Sequence, residues 1–545
     1  MALSTEELIE AGVRQNLVKH DVLQQLRLEA RKKRLDVMEL LCAELRLPLN
    51  SFHRAAANVK GMRYFDFGQL QAVNEELYKK LPQTLVRRKG LLPVIWENQV
   101  YLVTNDPDDR ASIDAARRII GQPVMLGYAE ELSIKMATAR ISSLPSGALV
   151  EAAAPVEVDL VQLLDKVFTE AYLRRSSDIH IMQDEYGLRI RFRVDGLLQD
   201  YMVEGAHDSQ VASGLISRIK VLSNLDIAEQ REPQDGGMSY SLPPPVDSQF
   251  NVRVATAPTR TGERITMRIL GQDAKDLTLE KIGMSAEDRL RFRLAIRKPF
   301  GMILLTGPTG SGKSTTLFAA LREINDPTVN IMTVENPIEY VIDGVSQIQT
   351  GAKITFASAL RSLLRHDPDV MMVGEIRDEE TADTALKAAM TGHLVFSTLH
   401  TNTASGCISR LADSGCEPFL IGSTMNAVIA QRLVRRLCAQ CKQSEPATVE
   451  EKRLLGVAET EPLQLFKPKG CALCQGTGYR GRLGLFETLW FDDALGQLVS
   501  KGAGEEVIEA EAGDRLRPMW HDGVSKVLAG VTTLEEVMKV TLKKG

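Results

Sequence analysis

The chain has 545 residues, too many for one compact core, and this length predicts two to four domains. Hydrophobic residues make up 44% and charged residues 25%, and the net charge of -5 argues against a dedicated nucleic-acid-binding protein. No apolar run approaches the roughly 18 residues that a membrane-spanning helix needs, and the first residues lack the pattern of a signal peptide. These features predict a cytoplasmic protein.

The N-terminal part is predicted to be helical at first and mixed afterwards. Residues 1 to about 60 place apolar side chains at helical spacing, whereas Leu91–Ile95 and Val100–Val103 indicate two short strands joined by a turn. Residues 141–157 are small, contain proline and show no period, which predicts a linker. We therefore expect residues 1–140 to form an N-terminal docking region with a helical start and a small α/β part.

Two further patterns follow the linker. Residues 158–272 begin with a predicted helix, Leu160–Arg174, and continue as alternating strands such as Leu188–Val194, which predicts an α+β domain. From about residue 300, short apolar runs alternate with helical stretches, as in a parallel sheet whose strands are joined by helices. Four of these runs are predicted to be buried strands, namely Met302–Leu305, Ile331–Val334, Val370–Val373 and Leu394–Ser397.

A phosphate-binding loop follows the first of these strands. The segment Gly307–Ser314 reads GPTGSGKS, which matches the pattern G-x-x-x-x-G-K-[ST], and a predicted helix, Thr315–Ile324, comes next. Glycines let backbone N–H groups surround phosphate oxygens, Lys313 would contact the β and γ phosphates, and Ser314 would bind Mg²⁺. The sequence predicts an ATP and Mg²⁺ site formed by Gly307, Pro308, Thr309, Gly310, Ser311, Gly312, Lys313, Ser314 and Thr315.

Acids and a histidine follow the later strands, at the sheet edge where ligands bind. Glu335 and Glu375 come just after two predicted strands, while Asp369 lies at the opposite end of its strand. This favours Glu375 as the residue that holds Mg²⁺ through water. His400 follows the last strand and could sense the γ-phosphate, whereas His393 precedes that strand and is predicted to be structural. For each of these residues an ordinary surface role stays open.

Four of the seven cysteines form two Cys-x-x-Cys pairs, Cys438 with Cys441 and Cys471 with Cys474. In a reducing compartment this pattern favours a metal over disulfides, and four thiolates can close a tetrahedral Zn²⁺ site with no open position for catalysis. Basic residues near the first pair, among them Arg432, are expected to offset the negative charge of such a site. The three other cysteines are predicted to be small buried residues.

These motifs together resemble the assembly and export ATPases of type II secretion systems and type IV pili. Residues 333–340 (TVENPIEY) resemble the family's aspartate box, with Asn336 where an aspartate is usual. Residues 361–378 resemble its Walker B region, and residues 391–401 its histidine box. Further matches are Ser177–His180, Arg193–Gly196 and Arg231–Gly236 in the second N-terminal domain, and Gly476–Arg482 after the second cysteine pair. The resemblance is strong over 158–545 and weak over 60–140.

The resemblance implies a fold and an assembly. The implied fold class is α/β, with a RecA-like P-loop ATPase core over 277–545 that includes a tetracysteine zinc module at about 434–486. It also implies a homohexamer that hydrolyses ATP and moves an inner-membrane platform protein. Associated cytoplasmic assembly proteins are implied as further partners. We therefore expect peripheral association with the inner membrane, and the net charge of -5 predicts no nucleic-acid partner.

The same resemblance implies roles for four arginines. Arg253 and Arg268, from the 158–272 domain, are implied to reach the nucleotide. Arg361 and Arg365 would join them, and their i, i+4 spacing predicts one face of one helix.

The resemblance also implies a general base. Glu339 or Glu335 of the aspartate box would activate the attacking water, and the choice between them stays open. Some relatives bind cyclic di-GMP through an N-terminal motif that contains Arg-Leu-Gly. Residues 1–60 lack that motif, so we expect no such binding there.

Three alternatives remain at this stage. Pilus retraction motors of the superfamily lack the N-terminal extension and the four cysteines, which favours an assembly or secretion motor here. A RecA-type nucleic-acid translocase would need a basic channel, against which the net charge of -5 argues. An ATP-gated scaffold with slow hydrolysis would be distinguished by its turnover with and without the membrane partner.

Overall fold

The computed structural model describes residues 3–142, 158–184, 187–203, 209–271, 277–351 and 353–541. The chain divides into two compact units, one formed by Met1–Gln272 with Lys469–Gly478 and the other by Asp273–Pro468 with Tyr479–Gly545. Within the described ranges, no helix is both long enough and apolar enough to cross a membrane. Most of the linker predicted at 141–157 lies outside the described residues.

The first unit begins with four helices, α1 Thr5–Arg14, α2 His20–Lys33, α3 Val37–Leu45 and α4 Leu49–Val59. A reciprocal pair of hydrogen bonds between Ser4 and Glu7 caps α1, and the Asp36 side chain caps α3. The apolar faces of the helices pack around Leu41 and Phe52, which are fully buried. The four helices lie in the stretch where apolar side chains recur at helical spacing.

A small α/β part follows. Its elements are β1 Arg63–Tyr64, α5 Phe67–Leu70, α6 Glu75–Lys80, a π-helical turn Thr84–Arg88, β2 Leu92–Trp96, β3 Gln99–Thr104, α7 Arg110–Ile120, β4 Met125–Tyr128 and α8 Glu131–Ser142. The sheet order is β1-β4-β3-β2. Strands β2 and β3 form the expected hairpin, whose turn residues Glu97 and Asn98 have φ of 50° and 60°. Helix α8 includes the first two residues of the predicted linker.

The rest of the first unit is an antiparallel sheet with two helices. Its elements are α9 Leu160–Leu173, β5 Asp178–Asp184, β6 Gly187–Val194, β7 Leu197–Tyr201, α10 Ser209–Leu222, β8 Gln234–Ser241, β9 Gln249–Thr259 and β10 Gly262–Leu270. The strand order is β7-β6-β5-β10-β9-β8. Alternate residues of β10, such as Ile265 and Met267, are buried in the core with residues of both helices, so the intervening residues lie on the opposite face.

The second unit contains the remaining elements. In chain order they are α11 Ala286–Ala295, β11 Gly301–Thr306, α12 Lys313–Ile324, β12 Ile331–Glu335, β13 Ser346–Gln349, α13 Phe356–Leu363, β14 Val370–Val373, α14 Glu379–Met390, β15 Leu394–Leu399, α15 Ser405–Asp413, α16 Pro418–Thr424, β16 Met425–Leu437, β17 Gln443–Pro446, α17 Val449–Leu455, β18 Gln464–Lys467, β19 Tyr479–Trp490, α18 Asp493–Ser500, α19 Glu505–Ala512, β20 Leu516–Arg517, α20 Met519–Leu528 and α21 Leu534–Met538. A 3₁₀ turn, Gly513–Arg515, precedes β20.

Eight strands of this unit form one sheet, in the order β13-β12-β14-β15-β11-β16-β19-β20. The strands from β13 to β16 pair in parallel, whereas β19 and β20 are antiparallel additions. Strand β11 is buried along its whole length, as expected for a parallel strand covered on both faces. The parallel pairing brings the carboxyl ends of β12, β14, β15 and β11 to one edge, where the candidate site lies.

Candidate nucleotide site and cysteine cluster

The loop Gly307–Ser314, here called the P-loop, has glycines where neighbouring atoms lie close to the backbone and where φ is positive. Gly307 and Gly312 have φ of 142° and 88°. A Cβ atom on Gly307 would lie 2.4 Å from the Gln431 carbonyl oxygen, and one on Gly312 would lie 2.8 Å from Gln431 Nε2. The backbone carbonyl therefore leaves no space for a larger residue at Gly307, and the positive φ disfavours one at both positions.

Lys313 is the first residue of α12, and its side chain folds back over the P-loop. Its Nζ donates to the carbonyl oxygens of Gly307 at 2.7 Å and Pro308 at 3.2 Å. Burial lowers the pKa of Lys313 to about 8; the Glu375 carboxylate opposes this shift, and Arg432 adds to it. The loop thus holds a desolvated ammonium group beside a helix N-terminus, an arrangement suited to phosphate oxygens.

The first aspartate-box acid is buried at the end of β12. Glu335 is 3% exposed, and its Oε1 accepts from Thr333 Oγ1 at 2.6 Å and Gln347 Nε2 at 2.9 Å. Burial raises the pKa of Glu335, and the nearby Glu339 charge adds to this effect. The Glu339 charge also acts on the pKa of Lys313, so Glu339 lies within electrostatic reach of the P-loop.

Glu375 and His400 meet at the carboxyl ends of β14 and β15. His400 Nε2 lies 3.4 Å from Glu375 Oε2, and Arg377 forms an ion pair with the other carboxylate oxygen. Burial alone would raise the pKa of Glu375, but Arg377 and His400 outweigh it, so the pKa lies below its usual value. Glu375 is therefore a stable anion beside the P-loop, as a residue that binds Mg²⁺ through water would need to be.

His393 and Asp369 lie away from this group. His393 Nδ1 is 3.0 Å from the Ala388 carbonyl oxygen at the end of α14. The carboxylate of Asp369 accepts a hydrogen bond of 2.7 Å from the backbone N–H of Asn330. Both residues border the amino ends of their strands.

Two further residues of the site, Gln431 and Arg432, are not predicted from the sequence. Strand β16 pairs in parallel with β11, and Thr306 lies opposite Ala430, so the next two residues of β16 lie beside the P-loop. Gln431 is 2% exposed, and its Oε1 accepts from Thr316 Oγ1 of α12 at 2.9 Å. No local motif marks these positions, because their placement depends on the pairing of two strands far apart in the chain.

The expected role of Arg432 beside the cysteines is wrong. Its Nη1 donates to the carbonyl oxygen of Gln431 at 3.1 Å, and its Nη2 donates to Asn402 Oδ1 at 3.1 Å. Burial lowers the pKa of Arg432, and its charge in turn lowers the pKa of Lys313. Arg432 therefore adds a second positive charge at the P-loop.

Arg253 and Arg268 lie directly opposite each other on β9 and β10 of the first unit. Both side chains are exposed, on the sheet face away from the apolar core. Arg268 Nε donates to Oδ1 of the buried Asp178 at 2.9 Å, and Arg193 Nε approaches the other oxygen of that carboxylate at 3.6 Å. The pair therefore presents two guanidinium groups side by side, one of them oriented by a carboxylate.

Arg361 and Arg365 do not share a helix, contrary to the prediction from their spacing. Helix α13 ends at Leu363, and Asp367, with φ of 51°, precedes Pro368 and directs the chain away from a helical path. Arg361 forms an ion pair with Glu380. Arg365 Nη1 lies 3.4 Å from the carbonyl oxygen of Arg361.

The four cysteines of the two Cys-x-x-Cys pairs form a cluster whose Sγ atoms all lie within 4.8 Å of one another. The Sγ atoms of Cys471 and Cys474 are 3.7 Å apart, which fits a tetrahedral Zn–S site of roughly 2.3 Å bonds. Backbone N–H groups of Cys471 and Gly478 donate to Cys474 Sγ at 3.2 Å each, as they would to a thiolate. The donor set and its spacing fit zinc.

The other three cysteines are buried thiols. Burial raises the pKa of Cys42 to about 12 and the pKa values of Cys407 and Cys416 to about 11. They are therefore neutral at ordinary pH and behave as small apolar residues, as predicted.

A buried parallel sheet, a P-loop at the end of a central strand and carboxylates at the neighbouring strand ends define a P-loop nucleotide-binding protein. The profile of the Type II/IV secretion system protein family matches residues 154–539. The chain belongs to this family. The profile of the MshEN domain matches residues 61–148.

Relatives extend this assignment over most of the chain. A Type II secretion system protein E of Pseudomonas aeruginosa is 42% identical over 489 residues, which is 85% of this chain and 96% of the relative. A Type II secretion system ATPase E of Vibrio cholerae is 48% identical over 387 residues, 71% of this chain and 76% of the relative.

Solved structures agree at the level of the fold. The X-ray structure of the Legionella pneumophila ATPase DotB matches with a TM-score of 0.53 and 22% identity, covering 72% of this chain and 99% of that one. The predicted α/β fold class is confirmed, and the predicted placement among secretion and pilus motor ATPases is confirmed at the level of the family.

Proposed function

We propose that this chain hydrolyses ATP, as a homohexameric motor that powers type II protein secretion or type IV pilus assembly. One observation carries the proposal: the desolvated Lys313 ammonium lies in the P-loop within electrostatic reach of Glu375 and of Glu339 from the aspartate box. The names of the relatives, which include a Type II secretion system ATPase E, support the same activity. The partner would be an inner-membrane platform protein with its cytoplasmic assembly proteins, and the motor would associate peripherally with that membrane.

Different residues of the site would have different roles in phosphoryl transfer. Backbone N–H groups of the P-loop and the Lys313 ammonium would bind the phosphates, and Ser314 and Glu375 would hold Mg²⁺, the latter through water. When bound, Mg²⁺ neutralises charge that develops on the phosphate oxygens. His400, whose Nε2 lies 3.4 Å from Glu375 Oε2, would sense the γ-phosphate.

Two acids remain candidates for activating the attacking water. The pKa of Glu335 is raised by burial, which makes its carboxylate a better proton acceptor. Glu339 is half-buried in the loop after Pro337, and its charge acts on the pKa of Lys313. Arg253 and Arg268 would complete the site when their domain closes on the nucleotide, joined by Arg361 and Arg365.

The proposal is tested first by Glu375→Gln. The substitution keeps the side-chain shape but removes the negative charge, so hydrolysis should fall by at least about tenfold. Nucleotide binding, measured with a fluorescent ATP analogue, should survive better than in Lys313→Ala. Asp369→Asn, at the other end of the same strand, is the matched control and should keep phosphate release near the wild-type rate. Unchanged hydrolysis in Glu375→Gln would contradict the assignment.

We also propose that the cysteine cluster binds one structural Zn²⁺ per chain, held by Cys438, Cys441, Cys471 and Cys474. Bound zinc would link the two Cys-x-x-Cys segments, and its binding free energy would add to folding stability. Cys441→Ser should lower both the zinc content and the melting temperature, the latter by at least about 5 °C. Cys416→Ser, a buried thiol outside the cluster, should keep the zinc. Carefully handled wild-type protein that contains no zinc by metal analysis would refute this part.

A further inference from the structure

The helix that follows the His400 loop is capped locally only by Thr403. Helix α15 begins after Ala404, whose backbone is already helical, and the Thr403 hydroxyl oxygen accepts from the N–H of Gly406 at 3.1 Å. Ala404 and Ser405 are both fully buried, so water does not reach the other N–H groups at this end. Those groups and the positive end of the helix therefore need partners from elsewhere in the fold.

Carboxylates from the C-terminal part of the chain supply those partners. Glu487 of β19 accepts from the backbone N–H of Ala404 at 2.8 Å. Glu505 Oε1 accepts from Thr403 Oγ1 at 2.8 Å and from Ser405 Oγ at 2.9 Å. Thr403 Oγ1 in turn accepts from the N–H of Gly406 at 3.1 Å. The start of α15 is thus held by side chains about a hundred residues away in sequence.

Glu505 lies at the N-terminal ends of two helices, α15 and α19. It lies in the first turn of α19 as well as against the start of α15, so its charge is attracted to the positive ends of two helices. Ser405 Oγ also lies 2.8 Å from Glu509 Oε1, but one hydroxyl proton can serve only one of the two acids at a time. The Thr403 hydroxyl therefore gives Glu505 the more constant bond.

The same loop reaches the nucleotide site at its other end. The backbone N–H of Thr401 donates to Thr306 Oγ1 at 2.7 Å, and Thr306 is the residue just before the P-loop. Thr401 Oγ1 donates to the carbonyl oxygen of Thr403 at 2.9 Å, which links this end of the loop to the residue that Glu505 holds. His400, beside Thr401, lies against Glu375.

We propose that Glu505 is a positioning residue for ATP hydrolysis. Through Thr403 and Ser405 it fixes the loop that places His400 against Glu375, so that a displacement of α19 changes turnover at the P-loop. The inference rests on the proposed ATPase function. It makes the surface helix α19 a route by which a neighbouring subunit or the membrane partner can act on hydrolysis.

Steady-state kinetics of Glu505→Ala, Glu505→Gln and Glu506→Ala tests the inference. Misplacing a catalytic group by about 1 Å can cost about a hundredfold in rate. We therefore expect Glu505→Ala to lower kcat by at least about tenfold, with little change in KM for ATP. Glu505→Gln keeps the acceptor oxygen but loses the charge, so its kcat should fall between Glu505→Ala and wild type. Glu506 is exposed on the same turn, and Glu506→Ala should behave as wild type.

A double-mutant cycle with His400→Ala separates positioning from general destabilisation. If Glu505 acts through the His400 loop, Glu505→Ala should cost less than about threefold in the His400→Ala background. Multiplicative losses, or a kcat of Glu505→Ala equal to that of Glu506→Ala, would overturn the inference. If Glu505→Ala does not fold, the same double-mutant cycle can be measured with Glu505→Gln. An inactive wild-type ring would instead contradict the proposed ATPase function itself.

Discussion

Replacing Lys313 by alanine is expected to abolish ATP hydrolysis while the chain still folds and assembles. The ammonium lies in the P-loop, donating to the carbonyls of Gly307 and Pro308, where burial lowers its pKa to about 8. Such a group is placed to stabilise charge on the transferring phosphoryl group. Removing one charge-stabilising donor of this kind costs about a hundredfold or more in rate, and phosphate release should fall at least that far.

Lys501→Ala, an exposed lysine at the end of α18, is the matched control and should retain wild-type turnover. Light scattering should report the same oligomer for both variants. Wild-type-like phosphate release by Lys313→Ala would mean that the P-loop is not the site of hydrolysis.

Arg268→Ala is expected to lower ATPase activity by at least about tenfold, because an arginine supplied to a phosphoryl-transfer site can contribute about a thousandfold or more. The Arg268 guanidinium is half-exposed and is oriented by the buried Asp178, with Arg253 directly opposite. A guanidinium is always charged and can bond phosphate oxygens in pairs. Arg189→Ala, which removes another arginine of the same sheet that is paired with Asp200, should have little effect.

Mixed rings extend this prediction from one subunit to the motor. In the proposed motor, closure of the 158–272 domain completes a nucleotide site, and the subunits of a ring act together. Rings assembled from a mixture of wild-type and Arg268→Ala subunits should therefore lose a larger fraction of their ATPase activity than the mole fraction of the variant. Activity measured against mole fraction gives the answer directly. A strictly proportional loss would mean that the subunits act independently, and the coupled-motor account would fail.

The sequence was sufficient for the features that are local in the chain. The P-loop, its strand and its helix are contiguous, so one pattern predicts all three together. The same holds for the hairpin at Glu97 and Asn98, whose turn requires particular backbone conformations, and for the two Cys-x-x-Cys pairs. Glu335 and Glu375 could be placed because parallel strands end at a common edge.

The sequence was insufficient where a contact depends on tertiary pairing. Arg432 lies near a cysteine pair in the chain, yet the parallel pairing of β16 with β11 places it at the P-loop. Arg365 has helical spacing from Arg361, but α13 ends at Leu363 because Asp367, with its positive φ, and Pro368 do not continue a helical path. Glu505 accepts hydrogen bonds from two hydroxyls at the start of a helix a hundred residues earlier, and no periodicity within either segment predicts that contact.

We propose that this chain hydrolyses ATP as an assembled ring in which subunits act together. Phosphate release by the purified wild-type chain should be measured in each fraction of a size-exclusion separation, with ATP and Mg²⁺ present. We expect activity that elutes with the hexamer and is lost in the Lys313→Ala variant. Equal activity per chain in monomer fractions, or hexamers that bind nucleotide without releasing phosphate, would refute the proposed ring motor.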